Sequence, residues 1–207
     1  MIHIVDYGVG NLRSIRNMLH RAGVKSEISG DPAVLRHASK LILPGVGHFG
    51  YAMEALRERN LTGILNERVL DAQTPVLGIC LGSQLLGRHS EEGDAQGLGW
   101  IAMDTVVFDR SRLNGGEKIP HMDWSETIHT GHPLFAGIKV PSRFYYVHSY
   151  HFRCDDPATV IGTAHHGYDY PSVVAQGHIM GAQFHPEKSH IYGKQLLKNF
   201  AAMKFSR

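Results

Sequence analysis

The chain has 207 residues, 43% of them hydrophobic, with 21 Lys and Arg against 19 Asp and Glu and a net charge of +2. That length buries one sizeable core without forcing a split into two, so a single domain over residues 1–207 is expected. The near-neutral balance, with no long basic run, argues against a nucleic-acid partner held by phosphate attraction. The longest apolar runs, such as residues 41–43 and 106–108, are far too short to span a bilayer, and the N-terminus lacks the pattern of a signal peptide. No membrane contact and a cytoplasmic location are therefore expected. Two cysteines, Cys80 and Cys154, suit an intracellular enzyme better than a disulfide-stapled secreted domain. The 15 histidines show no Cys-x-x-Cys or His-Glu-x-x-His spacing, so no metal is expected, and His148, His151, His165 and His166 read as core and surface residues.

The first half alternates strand and helix signals. Residues 2–5 read as a short buried strand, a turn follows at Asp6-Tyr7-Gly8-Val9-Gly10, and Asn11 stands where a helix N-cap belongs. Leu12, Ile15, Met18, Leu19 and Ala22 recur at helical spacing, with Gly23 placed to end the helix. A strand at residues 24–28, a helix opening at Asp31-Pro32 and the apolar run Leu41-Ile42-Leu43 repeat the scheme. A helical region over residues 48–69, broken near Asn60, leads to a strand at 75–79, after which helical periodicity resumes at Leu81. Such alternation predicts an α/β fold, a central and largely parallel sheet flanked by helices.

In the second half, short strand-like pieces at residues 103–108, 142–148, 160–164, 173–176 and 179–184 are separated by Gly, Pro and Asn. They suit antiparallel pairing, with a hairpin turn at Gln176-Gly177-His178. An amphipathic helix is predicted over residues 191–205. Gly8-Val9-Gly10 opens like a dinucleotide-binding turn, but Arg13 stands where the third glycine should be, so the fingerprint is incomplete.

Gly78-Ile79-Cys80-Leu81-Gly82 puts a cysteine between two glycines, after a strand and before a helix. This is the nucleophile-elbow pattern with sulfur in place of oxygen: the turn is tight enough that side chains two residues either way would collide. The elbow sets the sulfur at a helix N-terminus, which favours an anion, and directs the Leu81 N–H toward a developing oxyanion. On the elbow alone, a buried structural cysteine is an equal reading. A nucleophilic cysteine needs a base, and the base needs an orienter. In Gln183-Phe184-His185-Pro186-Glu187-Lys188-Ser189, His185 and Glu187 lie two residues apart at a strand exit, so both project from one side. Alone, His-x-Glu is weak; joined to the elbow it is strong.

Pro44-Gly45-Val46-Gly47, the Cys80 elbow and the Gln183 to Ser189 motif, in this order and spacing, resemble the class I, triad-type glutamine amidotransferases across nearly the whole chain. Within them, Asp6-Tyr7-Gly8-x-Gly10-Asn11, Lys118-Ile119-Pro120-His121-Met122 followed by Trp124, and Tyr146-Val147-His148-Ser149-Tyr150 are similar to the glutaminase subunits of imidazole glycerol phosphate synthases. The resemblance implies Cys80 as nucleophile, His185 as base and then acid, and Glu187 as orienter. It implies an oxyanion loop at Gly45, Val46 and Gly47 opposite Leu81, and a glutamine site at Gln84 and around His148, Ser149 and Tyr150. Asn11, Trp124 and Lys188 would lie toward a partner and the passage of ammonia. No cofactor is implied.

After these motifs no residues remain for an acceptor-binding domain, so ammonia released here must be used elsewhere. The resemblance implies a (βα)₈-barrel cyclase as the other half of a heterodimer, making imidazole glycerol phosphate and AICAR in histidine biosynthesis. Ser83, Asp123 and Ser125 stand where methionine, glycine and asparagine are usual in the family. They leave room for a paralogue feeding a surface-glycan (amidino-sugar) amidotransferase. A reading of another class is a non-catalytic regulatory subunit with the same fold, against which the complete set of Cys80, His185 and Glu187 speaks.

Overall fold

The computed structural model describes residues 1–113 and 116–205. Its first half runs β1 (Ile2–Val5), α1 (Leu12–Arg21), β2 (Ser26–Ser29), α2 (Pro32–Leu35), β3 (Lys40–Leu43), α3 (Phe49–Glu58), α4 (Leu61–Asn66), β4 (Val76–Ile79) and α5 (Leu81–Gln84). Local chemistry sets several of these boundaries. Asp31 accepts a hydrogen bond from the Ala33 N–H at 2.8 Å, and Pro32 at the first helical position loses nothing by lacking an N–H, so α2 opens where the sequence indicates. Asn60 adopts a left-handed conformation, φ +57°, and separates α3 from α4.

The second half adds β5 (His89–Ser90), β6 (Ala95–Gln96), β7 (Met103–Val107), β8 (His121–His129), β9 (Ser142–His148), β10 (Tyr150–Cys154), β11 (Val160–His166), β12 (Tyr168–Gln176), β13 (Ile179–Ala182) and α6 (His190–Ala202). The hairpin at Gln176-Gly177-His178 forms as expected, with Gln176 opposite Ile179 across β12 and β13. The C-terminal helix is shorter than its periodicity predicts and ends at Ala202. There the Lys40 ammonium reaches out of β3 and donates to the carbonyls of Phe200, Ala201 and Met203 at 2.6 to 2.7 Å, satisfying acceptors that a helix end leaves open.

Nine strands form one sheet in the order β2-β1-β3-β4-β13-β12-β11-β8-β9, and β10-β7-β5-β6 form a second, smaller one. From β2 to β13 every neighbouring pair is parallel; from β13 to β9 every pair is antiparallel. The fold is thus α/β with a mixed sheet, parallel in one half and antiparallel in the other. Strand alternation divides the apolar residues between two cores. Ile4, Ile42, Leu77 and Ile79 face α1 and α6, whereas Val5, Leu41, Leu43 and Val76 face α3, α4 and the small sheet.

The short β5 and β6, and the longer β8 and β10, escaped the sequence reading, and β8 shows why. Its inward positions are polar, with His121 and Thr127 buried, while its apolar Met122 and Ile128 are exposed. The usual alternation of apolar in and polar out is inverted there. β10 is assigned to the small sheet by pairing with β7, a contact between distant segments that its own sequence does not announce.

Candidate active site

Four neighbouring parallel strands, β1, β3, β4 and β13, end on the same edge of the sheet, and each delivers a piece of the site from its carboxyl end. This is where open α/β sheets place their ligand crevices. β1 leads into the loop 6–11, β3 into residues 44–47, β4 into Cys80, and β13 into Gln183 and His185.

Cys80 has φ +53°, a left-handed conformation that a non-glycine residue occupies only when its surroundings impose it. Its N–H donates to the Ala182 carbonyl at 2.8 Å, and its own carbonyl accepts from the Ser83 hydroxyl at 2.5 Å. The flanking glycines are required by packing. A Cβ on Gly78 would lie 2.5 Å from Ser83 Cα, and one on Gly82 would lie 2.0 Å from the Leu43 carbonyl oxygen. The elbow expected from the sequence is therefore present, and Ser83, one of the departures from the family pattern, braces it. The helix behind it, α5, is only four residues long, so its dipole is small, and the charge that faces the sulfur is chiefly that of His185.

His185 is buried and donates from Nδ1 to Glu187 Oε1 at 2.8 Å, with both side chains almost fully enclosed. That contact fixes the tautomer and leaves Nε2 for the hydrogen bond with Cys80. Burial works against a charged ring, but the Cys80 sulfur, by its charge and its hydrogen bond, together with Glu187 raises the His185 pKa to about 10. The turn carrying these residues is clasped to β9. The His185 N–H donates to the Tyr145 carbonyl at 2.9 Å, the Tyr145 N–H to Ser189 Oγ at 3.0 Å, and the Ser189 hydroxyl to the His185 carbonyl at 2.6 Å.

A cavity of about 480 Å³ opens over the sulfur. Of the residues singled out from the sequence, Cys80, His185, Val46, Gly47, Leu81, Gln84, His148, Ser149, Tyr150, Asn11 and Lys188 line it. Glu187 stands behind His185, and Gly45 is pressed against the elbow, where a Cβ would come within 2.4 Å of the Gly82 nitrogen. Trp124 lies outside the cavity, on the outer face of β8, stacked on His190 with ring centroids 5.1 Å apart. The Leu81 N–H, first in its helix, has no intrahelical acceptor and sits beside the sulfur.

Asn11 needs a correction. It occupies the N-cap position of α1, but its side chain makes no capping bond; its amide instead donates to Glu187 Oε1 at 3.3 Å. Sequence reasoning also missed Tyr7, Glu92 and Gln183. The buried Tyr7 hydroxyl donates to the Pro44 carbonyl at 2.6 Å, tying loop 6–11 to loop 44–47. Glu92 lines the cavity from the turn between β5 and β6 and accepts the Phe49 N–H at 2.8 Å. No motif marked Glu92, whereas Gln183 stood inside a quoted motif without a role.

Near the cavity, His121, His148 and His151 are buried in a cluster with Tyr146, Tyr168 and Tyr170. Burial, added to by its histidine neighbours, holds His148 well below the ordinary imidazole range. Nδ1 of His148 then donates to the Tyr150 carbonyl at 2.7 Å and Nε2 accepts from the Tyr170 hydroxyl at 3.1 Å. Among the described residues no three His, Cys, Asp or Glu side chains are arranged to hold a metal ion, and no helix is long and apolar enough to cross a membrane.

A cysteine on a strained strand-to-helix turn, paired to a buried histidine and carboxylate at the carboxyl edge of a mixed sheet, defines a cysteine-triad amidotransferase-like site. Residues 3–203 match the family described as glutamine amidotransferase class-I, and the chain belongs to that family. It is 46% identical to the protein named imidazole glycerol phosphate synthase subunit HisH 2 of Pseudomonas aeruginosa, over 98% of this chain and 100% of that one. It is 48% identical to subunit HisH of Sulfurimonas denitrificans, over 97% of each chain, and 45% identical to subunit HisH 2 of Methanococcus maripaludis, over 97% and 98%. Among solved structures, a chain described as the structure of PurLQS from Thermotoga maritima superposes with a TM-score of 0.72 over 96% of both chains at 19% identity, a likeness of fold.

Proposed function

We propose that the chain is the glutaminase subunit of an imidazole glycerol phosphate synthase, hydrolysing glutamine to glutamate and ammonia and passing the ammonia to a cyclase subunit in histidine biosynthesis. The observation that carries this reading is the line from Cys80 through His185 to Glu187 at the floor of the cavity. Relatives sharing 45 to 48% of residues over nearly the whole chain and bearing that subunit's name support the choice of acceptor.

In the reaction, the Cys80 thiolate attacks the side-chain carboxamide carbon of glutamine, and the oxygen that gains the electron pair is met by the Leu81 N–H and by loop 45–47. The His185 imidazolium protonates the departing nitrogen, so ammonia leaves and a glutamyl thioester remains. His185, now neutral, takes a proton from water as the water attacks the thioester; the thiolate is restored and glutamate departs. Glu187 holds the ring throughout. Glu92 supplies a negative charge for the substrate's α-ammonium, and the backbone at residues 148–150, lining the same cavity, helps to hold the glutamine.

Ammonia is largely protonated in neutral water and must travel shielded. The outer face of β8 and β9 supports a docking role: Met122 is 61% exposed and pairs with Val147, which lines the cavity, while Trp124 pairs with Tyr145. Lys188 lies over the Tyr145 ring, 5.2 Å from its centroid, at the cavity rim. A (βα)₈-barrel cyclase seated there would receive ammonia past Asn11 and Lys188. The whole chain acts as one amidotransferase domain, in the cytoplasm.

The test is to mix the chain with a histidine-pathway cyclase, its nucleotide substrate and glutamine and to measure imidazole glycerol phosphate. Product with the native chain and none with Cys80→Ala is expected; unchanged product with Cys80→Ala would overturn the nucleophile. A second reading, a glutaminase feeding an amidino-sugar synthase, rests on the departures Asp123 and Ser125 along β8 and on Ser83 in the elbow. It predicts neither binding to nor stimulation by the cyclase.

A further inference from the structure

Gln183 is fully buried beside the nucleophile, and the reaction above gives it no part. Its backbone is fixed by an N–H donated to the Ser172 carbonyl at 2.8 Å. Its side chain stands at a junction. Oε1 accepts from Gln84 Nε2 at 3.0 Å, and Nε2 points at Cys80 Sγ at 3.9 Å. Gln84 Nε2 also donates to the Tyr150 carbonyl at 3.2 Å.

A carboxamide nitrogen has two protons and no lone pair to accept with, and its oxygen can only accept. Both donors of Gln84 are therefore used within the protein, and only its Oε1 remains to serve the cavity that Gln84 lines. The two amides also fix each other's orientation. Turning the Gln183 amide over would set NH₂ against NH₂ and aim a carbonyl oxygen at the sulfur; turning that of Gln84 would set its oxygen against the Gln183 and Tyr150 oxygens.

We infer that Gln183 is a second hydrogen-bond donor to the Cys80 sulfur, beside His185, and the positioning residue that makes Gln84 acceptor-only toward the substrate. At that point the site accepts an N–H donor, as an amino-acid ammonium or carboxamide offers, and disfavours a carboxylate. The sulfur arm stands on geometry alone; the substrate arm rests on the glutaminase reading. A donor aimed at sulfur counts for most when the sulfur is negative, in the thiolate before attack and again as the thioester breaks.

Two variants of the full-length chain test this. Gln183→Met keeps the length and removes donor and acceptor; Gln183→Glu keeps the shape and removes the NH₂. Site-resolved mass spectrometry reads iodoacetamide labelling of Cys80 at pH 7, with half-buried Cys154 as the internal reference for folding. Labelling of Cys80 is expected to slow about three- to tenfold in both variants with Cys154 unchanged. In the cyclase-assembled enzyme, KM for glutamine is expected to rise, in Gln183→Met, by a larger factor than kcat falls. If Gln183→Met exposes Cys154, Gln183→Glu decides alone. Native labelling and native KM in a folded variant would overturn the inference while leaving the glutaminase reading intact. Slowed labelling in a chain that hydrolyses no glutamine would overturn that reading and uphold the donor to sulfur.

Discussion

The Asn11 side-chain amide donates to Glu187 Oε1 at 3.3 Å, the same oxygen that accepts the His185 Nδ1–H at 2.8 Å. Residues 176 positions apart in sequence thus meet on one atom. The other oxygen, Oε2, is buried without a hydrogen-bond partner among the described residues. The carboxylate proposed to hold the base therefore depends on few donors, and Asn11 is one. Asn11→Ala is expected to lower kcat for glutamine hydrolysis in the assembled enzyme about tenfold, the kinetic equivalent of one hydrogen bond to a charged group. Asn11→Asp, which sets a second negative charge against Glu187, should cost more. Steady-state ammonia release measures both, and native kcat in Asn11→Ala would remove Asn11 from the site.

Tyr7 holds the opposite wall. Its hydroxyl bond to the Pro44 carbonyl anchors the start of the loop proposed to face the oxyanion, and burial, reinforced by the charge of Cys80, keeps the phenol protonated. Tyr7→Phe leaves the ring in place and a buried carbonyl without its donor. A loss of about 1 kcal/mol in urea unfolding is expected, together with a fall in kcat greater than any change in KM. Loss of stability with native kcat would make Tyr7 structural only.

Glycines separate the elbow from ordinary chain. A Cβ at Gly82 meets the Leu43 carbonyl at 2.0 Å, whereas at Gly63 in α4 nothing lies within 4 Å. Gly82→Ala should destabilise the chain by roughly 3 kcal/mol or more and abolish activity, because backbone on both sides must shift. Gly63→Ala, in a helix interior, should instead stabilise it by about 0.5–1 kcal/mol. Parallel urea titrations decide, and similar midpoints for the two variants would contradict the elbow geometry.

Acid should unfold the chain through its buried histidines. Burial, helped by His166 and opposed by Asp123, lowers the pKa of His121 from 6.5 to about 4, and burial likewise lowers that of His148. Above pH 6.5 these rings are neutral whether the chain is folded or not. Between pH 6.5 and about 4 the unfolded chain binds protons that the folded chain refuses, so stability falls as pH falls. The urea midpoint should drop between pH 7.5 and 5, and His121→Asn should flatten that slope relative to its own value at pH 7.5.

Much of the parallel half was legible because its signals are local. Ile2, Ile4, Leu41, Leu43, Val76 and Ile79 cluster in runs too short for helices, Asp31-Pro32 marks a helix start, and Asn60 marks a break. The antiparallel half was only partly readable. β8 buries His121 and Thr127 and exposes Met122 and Ile128, because its inner face meets hydroxyls and imidazoles, with Thr127 bonded to Tyr146 and His121 to Tyr170. A rule that looks for apolar residues facing inward cannot find such a strand.

The sequence by itself determined the set proposed to react. Cys80 between close glycines, and His185 two residues from Glu187, are constraints of covalent spacing and backbone sterics that hold wherever the segments lie. Tertiary structure alone decided which side chains serve that set. The order β1-β3-β4-β13 brings four strand ends to one edge, and only there does Asn11 reach Glu187, Tyr7 reach Pro44, and Gln183 lie between Cys80 and Gln84. Hydrogen bonds act over about 3 Å, whereas these partners are separated by tens of residues or more, so their pairing is written in the strand order rather than in any local pattern.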